Sequence, residues 1–114
     1  MKCREFVDKY NLHDSLLEQV EYDENSTSVC LTVDFCYWQQ NDYSDEMPET
    51  GIIKILFSGI NEFKYTPYCL NSDEIVDVNF NADDEFMLKT YNDINDTYHT
   101  IYIKASEVEV INVR

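Results

Sequence analysis

The chain reads as a mainly β protein of α+β type, an antiparallel sandwich or strongly curved sheet of about seven short strands with a short N-terminal helix. Three features carry that expectation. Apolar and polar residues alternate through several short runs, those runs recur with Asn, Asp and Ser between them, and only the first ten residues show a helical period. The 114 residues, 1–114, are expected to form a single domain. A chain of that length can bury about two thirds of the surface it exposes when unfolded.

In "CREFVDKYNL", Phe6, Val7 and Tyr10 fall on one helical face, which predicts a helix over about residues 3–10 packed on one face of the sheet. "LLEQVEYD" reads as a strand and "ENST" as a turn. The clearest strand is "SVCLTVDFCYW", with Val29, Leu31, Val33, Phe35 and Tyr37 on one side. Its other side carries Cys30, Thr32, Asp34, Cys36 and Trp38, polar enough to be partly covered or to line a groove. "QQNDYSDEMPET" is a polar loop, whereas "GIIKILFSGI" is so continuously apolar that burial on both faces is expected. Pro67 makes "NEFKYTPYCLN" an edge or an irregular connection. "EIVDVNF", "EFMLKTY", "YHTIYIKA" and "EVEVINV" complete an antiparallel meander, separated by "NADD", "NDIND" and a single Ser.

Eight basic against 23 acidic residues give a net charge of −15. Its distribution says more. No Lys or Arg occurs from Tyr10 to Ile53, nor from Tyr65 to Leu88. Such a surface repels phosphate backbones and anionic lipid and attracts basic proteins, so neither nucleic acid nor membrane is an expected partner.

Two glycines, Gly51 and Gly59, exclude the dinucleotide fingerprint and the P-loop, and the acidic runs lack the Gly of an EF-hand. A looser calcium site at Asp83, Asp84 and Glu85, or at Asp93 and Asp96, is a lesser alternative to plain solvated loops, and no cofactor is expected. Cys3, Cys30, Cys36 and Cys69 show no C-x-x-C spacing, and two histidines cannot complete a zinc signature. Cys30 and Cys36 lie about 20 Å apart on one strand, too far to bond to each other. Free, buried thiols in a reducing cytoplasm are the expectation. "MKCREFVDKY" lacks the apolar core of a secretion signal, and no segment reaches membrane-spanning length.

"LHDS" places His13, Asp14 and Ser15 side by side, but adjacent side chains diverge and rarely converge on one reacting atom. Asp14 and Ser15 are instead expected to accept backbone N–H groups where helix gives way to strand, with Leu12, Leu16 and His13 tucked against the sheet. His99, alternating with Ile101 and Ile103, is expected to face the core or a strand edge. No enzyme activity is expected.

The order of short helix, "LHDS", strand, turn, strand ending in "CYW", polar loop and "IIKILFSGI" resembles a group of small uncharacterised bacterial proteins. In that group an HDS motif precedes the first strand and a later strand ends in F-x-G-V/I. Residues His13, Asp14, Ser15, Phe57, Gly59 and Ile60 match, over roughly residues 5–60, and the second half departs from the pattern. Some members are assigned as immunity proteins that neutralise polymorphic toxins, many of them nucleases. The resemblance therefore implies a toxin-binding role and no catalytic residue, with His13, Asp14, Ser15 and Gly59 as structural motif.

The leading expectation is a cytoplasmic immunity or inhibitor protein that occludes a basic toxin with carboxylates around aromatic anchors. The candidate contact residues are Trp38, Asp42, Tyr43, Asp45, Glu46 and Glu49, with Asp83, Asp84 and Glu85 as a second acidic group. The alternative is a non-catalytic module that takes a small ligand or glycan by aromatic stacking, in a groove on the Cys30, Thr32, Cys36, Trp38 face with nearby tyrosines. A single acidic patch with an exposed aromatic centre favours the first reading, and a concave aromatic pocket away from the acids favours the second.

Overall fold

Strict alternation in "SVCLTVDFC" puts Val29, Leu31, Val33 and Phe35 on one side of a strand, and all four are buried. The computed structural model describes residues 1–112 and orders them as α1 (Cys3–Lys9), β1 (Leu16–Asp23), β2 (Ser28–Cys36), the 3₁₀ turn η1 (Tyr37–Gln39), β3 (Thr50–Lys64), β4 (Asp73–Phe80), β5 (Phe86–Asn92) and β6 (Thr97–Asn112). Every pairing is antiparallel. The strands close into a barrel in the order β1-β2-β3-β6-β5-β4, so the predicted curvature is carried through to closure.

Cross-strand partners share a face, and the register brings the core together: Val29 opposite Phe57, Leu31 opposite Ile55, Val33 opposite Ile53, Phe57 opposite Val108 and Leu88 opposite Ile101. The barrel interior is filled by these side chains with Leu17, Ile75, Phe86 and Ile103. α1 has only seven residues, too few to be stable alone, and Phe6 anchors it. That ring is fully buried against Phe57 and Phe86 at centroid distances of 6.3 and 6.4 Å. Met1 adds a two-bond backbone bridge to Val108.

Three expectations need correction. "GIIKILFSGI" is not buried on both faces: Ile53, Ile55 and Phe57 point inward, while Ile52 is 37% exposed and Lys54 and Leu56 are half-buried. β3 also runs on through Phe63 and Lys64, leaving residues 65–72 as the irregular connection. Thirdly, "YHTIYIKA" and "EVEVINV" are one strand, β6, which reduces the described strands from about seven to six; Val113, at the end of the second run, lies outside the described residues. The physical reason is at Ser106. Inward positions run Ile101, Ile103, Ala105 and then Val108, Val110, so the alternation changes phase without interrupting the backbone.

Gly59 lies opposite that phase change. The β3–β6 ladder passes from Ser58–Glu107 to Ile60–Ala105 and skips Gly59 and Ser106. Gly59 has φ +63°, and an added Cβ would approach Ser106 Oγ to 2.7 Å. Both the backbone conformation and the close approach require glycine.

Ser15 joins the barrel at its narrowest seam. β1 pairs with β4 only at Leu16–Glu74 and Leu17–Asp73, and the Ser15 carbonyl extends that contact by accepting the Ile75 N–H at 2.8 Å. The Asp14 N–H donates to the Ile75 carbonyl at 3.0 Å, while Ser15 Oγ accepts the Cys36 N–H of β2 at 3.1 Å. Asp14 meets the seam differently from expectation: at a positive φ of 67° it donates its own N–H, and its carboxylate turns to His13 and to the Glu74 side chain instead of capping backbone N–H groups. Leu12 is buried as expected, but His13 is exposed.

Two substitutions test these joints. Gly59→Ala should lower stability in urea unfolding by about 1–3 kcal/mol, from strained φ and the clash with Ser106. Ser15→Ala should cost about 1–3 kcal/mol because it strands a buried N–H at Cys36. A loss below 0.5 kcal/mol in either would contradict the assigned role.

Candidate functional site

Residues 37–49 leave β2 and return to β3 as a chain of turns. The Trp38 N–H donates to the Glu49 carbonyl at 3.2 Å, Tyr43 to Gln40 at 3.2 Å and Met47 to Ser44 at 3.0 Å. Tyr37 is buried, and Tyr43 and Met47 pack half-buried against the core. Apolar anchoring of these three leaves the rest facing water. Trp38 is 52% exposed, Asp42, Asp45, Glu46 and Glu49 are exposed, and none of the four carboxylates enters an ion pair among the described residues. Tyr43 is thus more anchor than contact, and Trp38 is the loop's exposed aromatic group.

Beside the loop lies a pocket of about 510 Å³ whose floor is Phe35, Tyr37, Ile53 and Val110, with Asp8, Lys9 and Asp42 among the groups around it. The C-terminal side of α1 is tied to this region. Gln40 accepts the Asn11 N–H at 2.9 Å and donates to the Asn11 carbonyl at 2.8 Å.

The second acidic group does not join the loop. Asp83, Asp84 and Glu85 form the β4–β5 turn near the start of α1, where Asp84 is ion-paired with Arg4. Glu85 is only 2% exposed; its carboxylate accepts from Asn81 Nδ2 at 3.0 Å and lies 3.7 Å from Lys64 Nζ. Burial removes Glu85 from any contact surface, and Asp83 remains exposed. Among the described residues, no three His, Cys, Asp or Glu side chains are grouped as a metal ion would require.

"LHDS" does not converge on a reacting point. His13 Nδ1 lies 3.3 Å from Asp14 Oδ1 at the surface, while Ser15 Oγ is buried and engaged with the Cys36 N–H. On the second face of β2, Cys30, Thr32 and Asp34 are half-buried and Cys36 is buried, with its Sγ 3.5 Å from the Asp14 carbonyl, while Trp38 lies beyond the strand in η1. Burial raises the Cys3 and Cys30 thiols above their ordinary value, the opposite of activation. All four cysteines are free, but the expectation that they are buried holds only for Cys36: Cys3 and Cys30 sit on half-covered faces and Cys69 is exposed in the irregular 65–72 connection.

At the other end of the barrel sits a buried polar cluster that sequence reading missed. Asp73, 1% exposed, accepts Tyr68 Oη–H at 2.6 Å, Asn92 Nδ2–H at 3.0 Å and the Asn71 N–H at 3.2 Å. Tyr68 Oη also lies 3.1 Å from Thr90 Oγ1, and its ring stacks at 3.5 Å on His99, the half-buried histidine that alternation put on the core face or at a strand edge. Burial pushes the Tyr68 phenol far above the usual tyrosine range, and the hydrogen bond to Asp73 adds to the shift. The cluster pins the 65–72 connection across the barrel mouth. A groove of about 520 Å³ runs beside it, lined by Val20, Tyr22, Phe63, Tyr65, Tyr68 and Leu70. Its only sequence signal was the density of tyrosines in "FKYTPY".

No protein-family model matches the chain, and neither does any curated protein or solved structure. Among the described residues, no helix is long and apolar enough to cross a membrane.

Tyr68 supports folding only while protonated, since its folded-state value is raised. Its contribution is therefore full below about pH 10 and lost as pH rises from there toward the folded-state value. Tyr68→Phe should remove the last-titrating phenol from an absorbance titration and cost about 1–3 kcal/mol at neutral pH, because Asp73 loses a donor. Retention of that late phase would reassign it.

Proposed function

We propose that the protein is an immunity or inhibitor protein of the bacterial cytoplasm that binds a basic toxin domain, in particular a nuclease, and covers its substrate site. One observation carries the reading: a solvent-facing indole, Trp38, on the same loop as four exposed carboxylates that form no ion pair among the described residues. A nuclease presents Lys and Arg to phosphate, and the loop offers carboxylates in the phosphate's place. Opposite charge steers encounter. It can lift association from about 10⁵–10⁶ to about 10⁸–10⁹ M⁻¹s⁻¹ at low salt, while a buried Trp slows release. The resemblance around His13, Asp14, Ser15 and Gly59 supports the same reading, and no catalytic step is assigned to the protein.

The aromatic groove favours a second reading, a non-catalytic module for a small ligand or glycan.

A toxin reading frame beside this gene, with rescue of cells from that toxin by this protein, is the expected result. Changing Asp42 and Asp45 to Asn and Glu46 to Gln together should slow association with that toxin by about tenfold or more at low salt, with a smaller effect near 0.5 M salt. Trp38→Ala should mainly speed dissociation. Unchanged association after the triple substitution would refute the loop as the contact.

A further inference from the structure

β1 is a barrel strand for only its first two residues. Beyond Leu16 and Leu17 it leaves β4, and from Gln19 to Asp23 its ladder is with β2 alone. No backbone hydrogen bond among the described residues joins Gln19–Asp23 to the neighbouring 65–72 connection. One edge of this segment therefore presents unpaired N–H and C=O groups. Natural edges are commonly blunted by Lys, Pro, other charges or a bulge; β1 has neither Lys nor Pro, its bulge lies at Leu17–Gln19 before the open segment, and the charges on that segment, Glu21 and Asp23, repel acidic strands but not basic ones.

Beside that edge runs a wall of rings that starts on β1 itself, at Tyr22, and continues through residues 63–68. Tyr22 meets Phe63 at 5.1 Å, Phe63 meets Tyr65 at 6.0 Å, and Tyr65 meets Tyr68 at 6.1 Å. Tyr68 is held in place by Asp73 and His99, so the wall is braced from behind. Tyr22 is 46% exposed at the mouth of the groove. The rim is acidic: Glu21, Asp23 and Glu24 are exposed, Glu18 is half-buried, and no basic residue occurs from Tyr10 to Ile53.

We propose that this groove is a docking site for an extended segment of a partner protein, one that adds as a strand to the open edge of β1, places alternate apolar side chains against the rings and carries Lys or Arg between them. An added strand satisfies the unpaired backbone groups, and its two-residue period sends every second side chain into the groove. The acidic rim selects the basic residues that alternate with them. A glycan would use the rings and leave the strand edge unanswered. A second copy of this chain would set Glu18, Glu21 and Asp23 against themselves. The site goes beyond the Trp38 loop and does not rest on it: the groove flanks the part of β1 paired with Ser28–Thr32, whereas the loop departs from Cys36.

The test titrates the isotope-labelled full-length protein with an acetylated ten-residue peptide alternating Lys with Val or Phe. Amide shifts and slowed hydrogen exchange should be confined to Gln19–Asp23 and Phe63–Leu70. Two peptides N-methylated on one or the other alternate set should behave unequally: the set facing β1 abolishes binding and the other does not. Tyr22→Ser, with an unchanged circular dichroism spectrum, should weaken binding by about tenfold, as should Glu in place of the peptide lysines. The variant with Asp42, Asp45 and Glu46 neutralised should bind as before, which separates this site from the loop. Equal binding of both methylated peptides, shifts centred on Trp38, no binding of the parent peptide, or a neutral oligosaccharide shifting the same amides in the peptide's stead would overturn the proposal.

Discussion

The barrel depends on one short seam. β1 and β4 share two residue pairs, and the polar groups of Asp14 and Ser15 do the rest: two backbone bonds to Ile75 and the hydroxyl that takes the Cys36 N–H. A sheet this curved has two free edges until those contacts form, and unpaired edges are costly when buried and hazardous when exposed. Closure at the start of β1 leaves the remainder of that strand without a second neighbour. The seam thus creates both the enclosed core and the open edge.

Charge is distributed to suit that geometry. The few cations near the helix and the β3 end are consumed locally, with Lys2 on Glu107, Arg4 on Asp84 and Lys64 on Glu62. Lys9 lines the same pocket as Asp42, but among the described residues no ion pair forms on the Trp38 loop or at the tip of the β1–β2 hairpin. Among the described residues both stretches keep exposed carboxylates outside any ion pair, which repel one another and would be relieved by a cationic surface. The energetic argument for a basic partner is the same at both places, although the anchoring differs: one exposed indole on the loop, a braced row of rings beside β1.

The polar interior has a separate purpose. Asp73, Asn92, Thr90 and Tyr68 form a connected set in which Asp73 receives three donors, as a buried carboxylate requires. That set fixes the irregular 65–72 segment where no strand pairing holds it. Rigidity of the ring wall is a consequence of that buried chemistry.

Much of the fold was legible in the chain because burial writes a period into a strand: Val29 through Phe35, Leu88, Ile101 and Ile103 announce their inward faces. The helix, carried by Phe6, Val7 and Tyr10, was readable for the same reason, and Trp38 with its acidic neighbours because the loop is contiguous. Other features have no local signature. The phase change at Ser106 looked like a strand boundary, since alternation alone cannot distinguish a bent strand from two strands. The burial of Glu85, the half-burial of Tyr43, the Tyr68–Asp73 cluster and the groove between β1 and residues 63–70 arise from segments distant in sequence. Composition and periodicity determined which faces turn inward and how acidic the surface is; barrel closure decided which distant residues meet, because contact depends on register and curvature that no single segment contains.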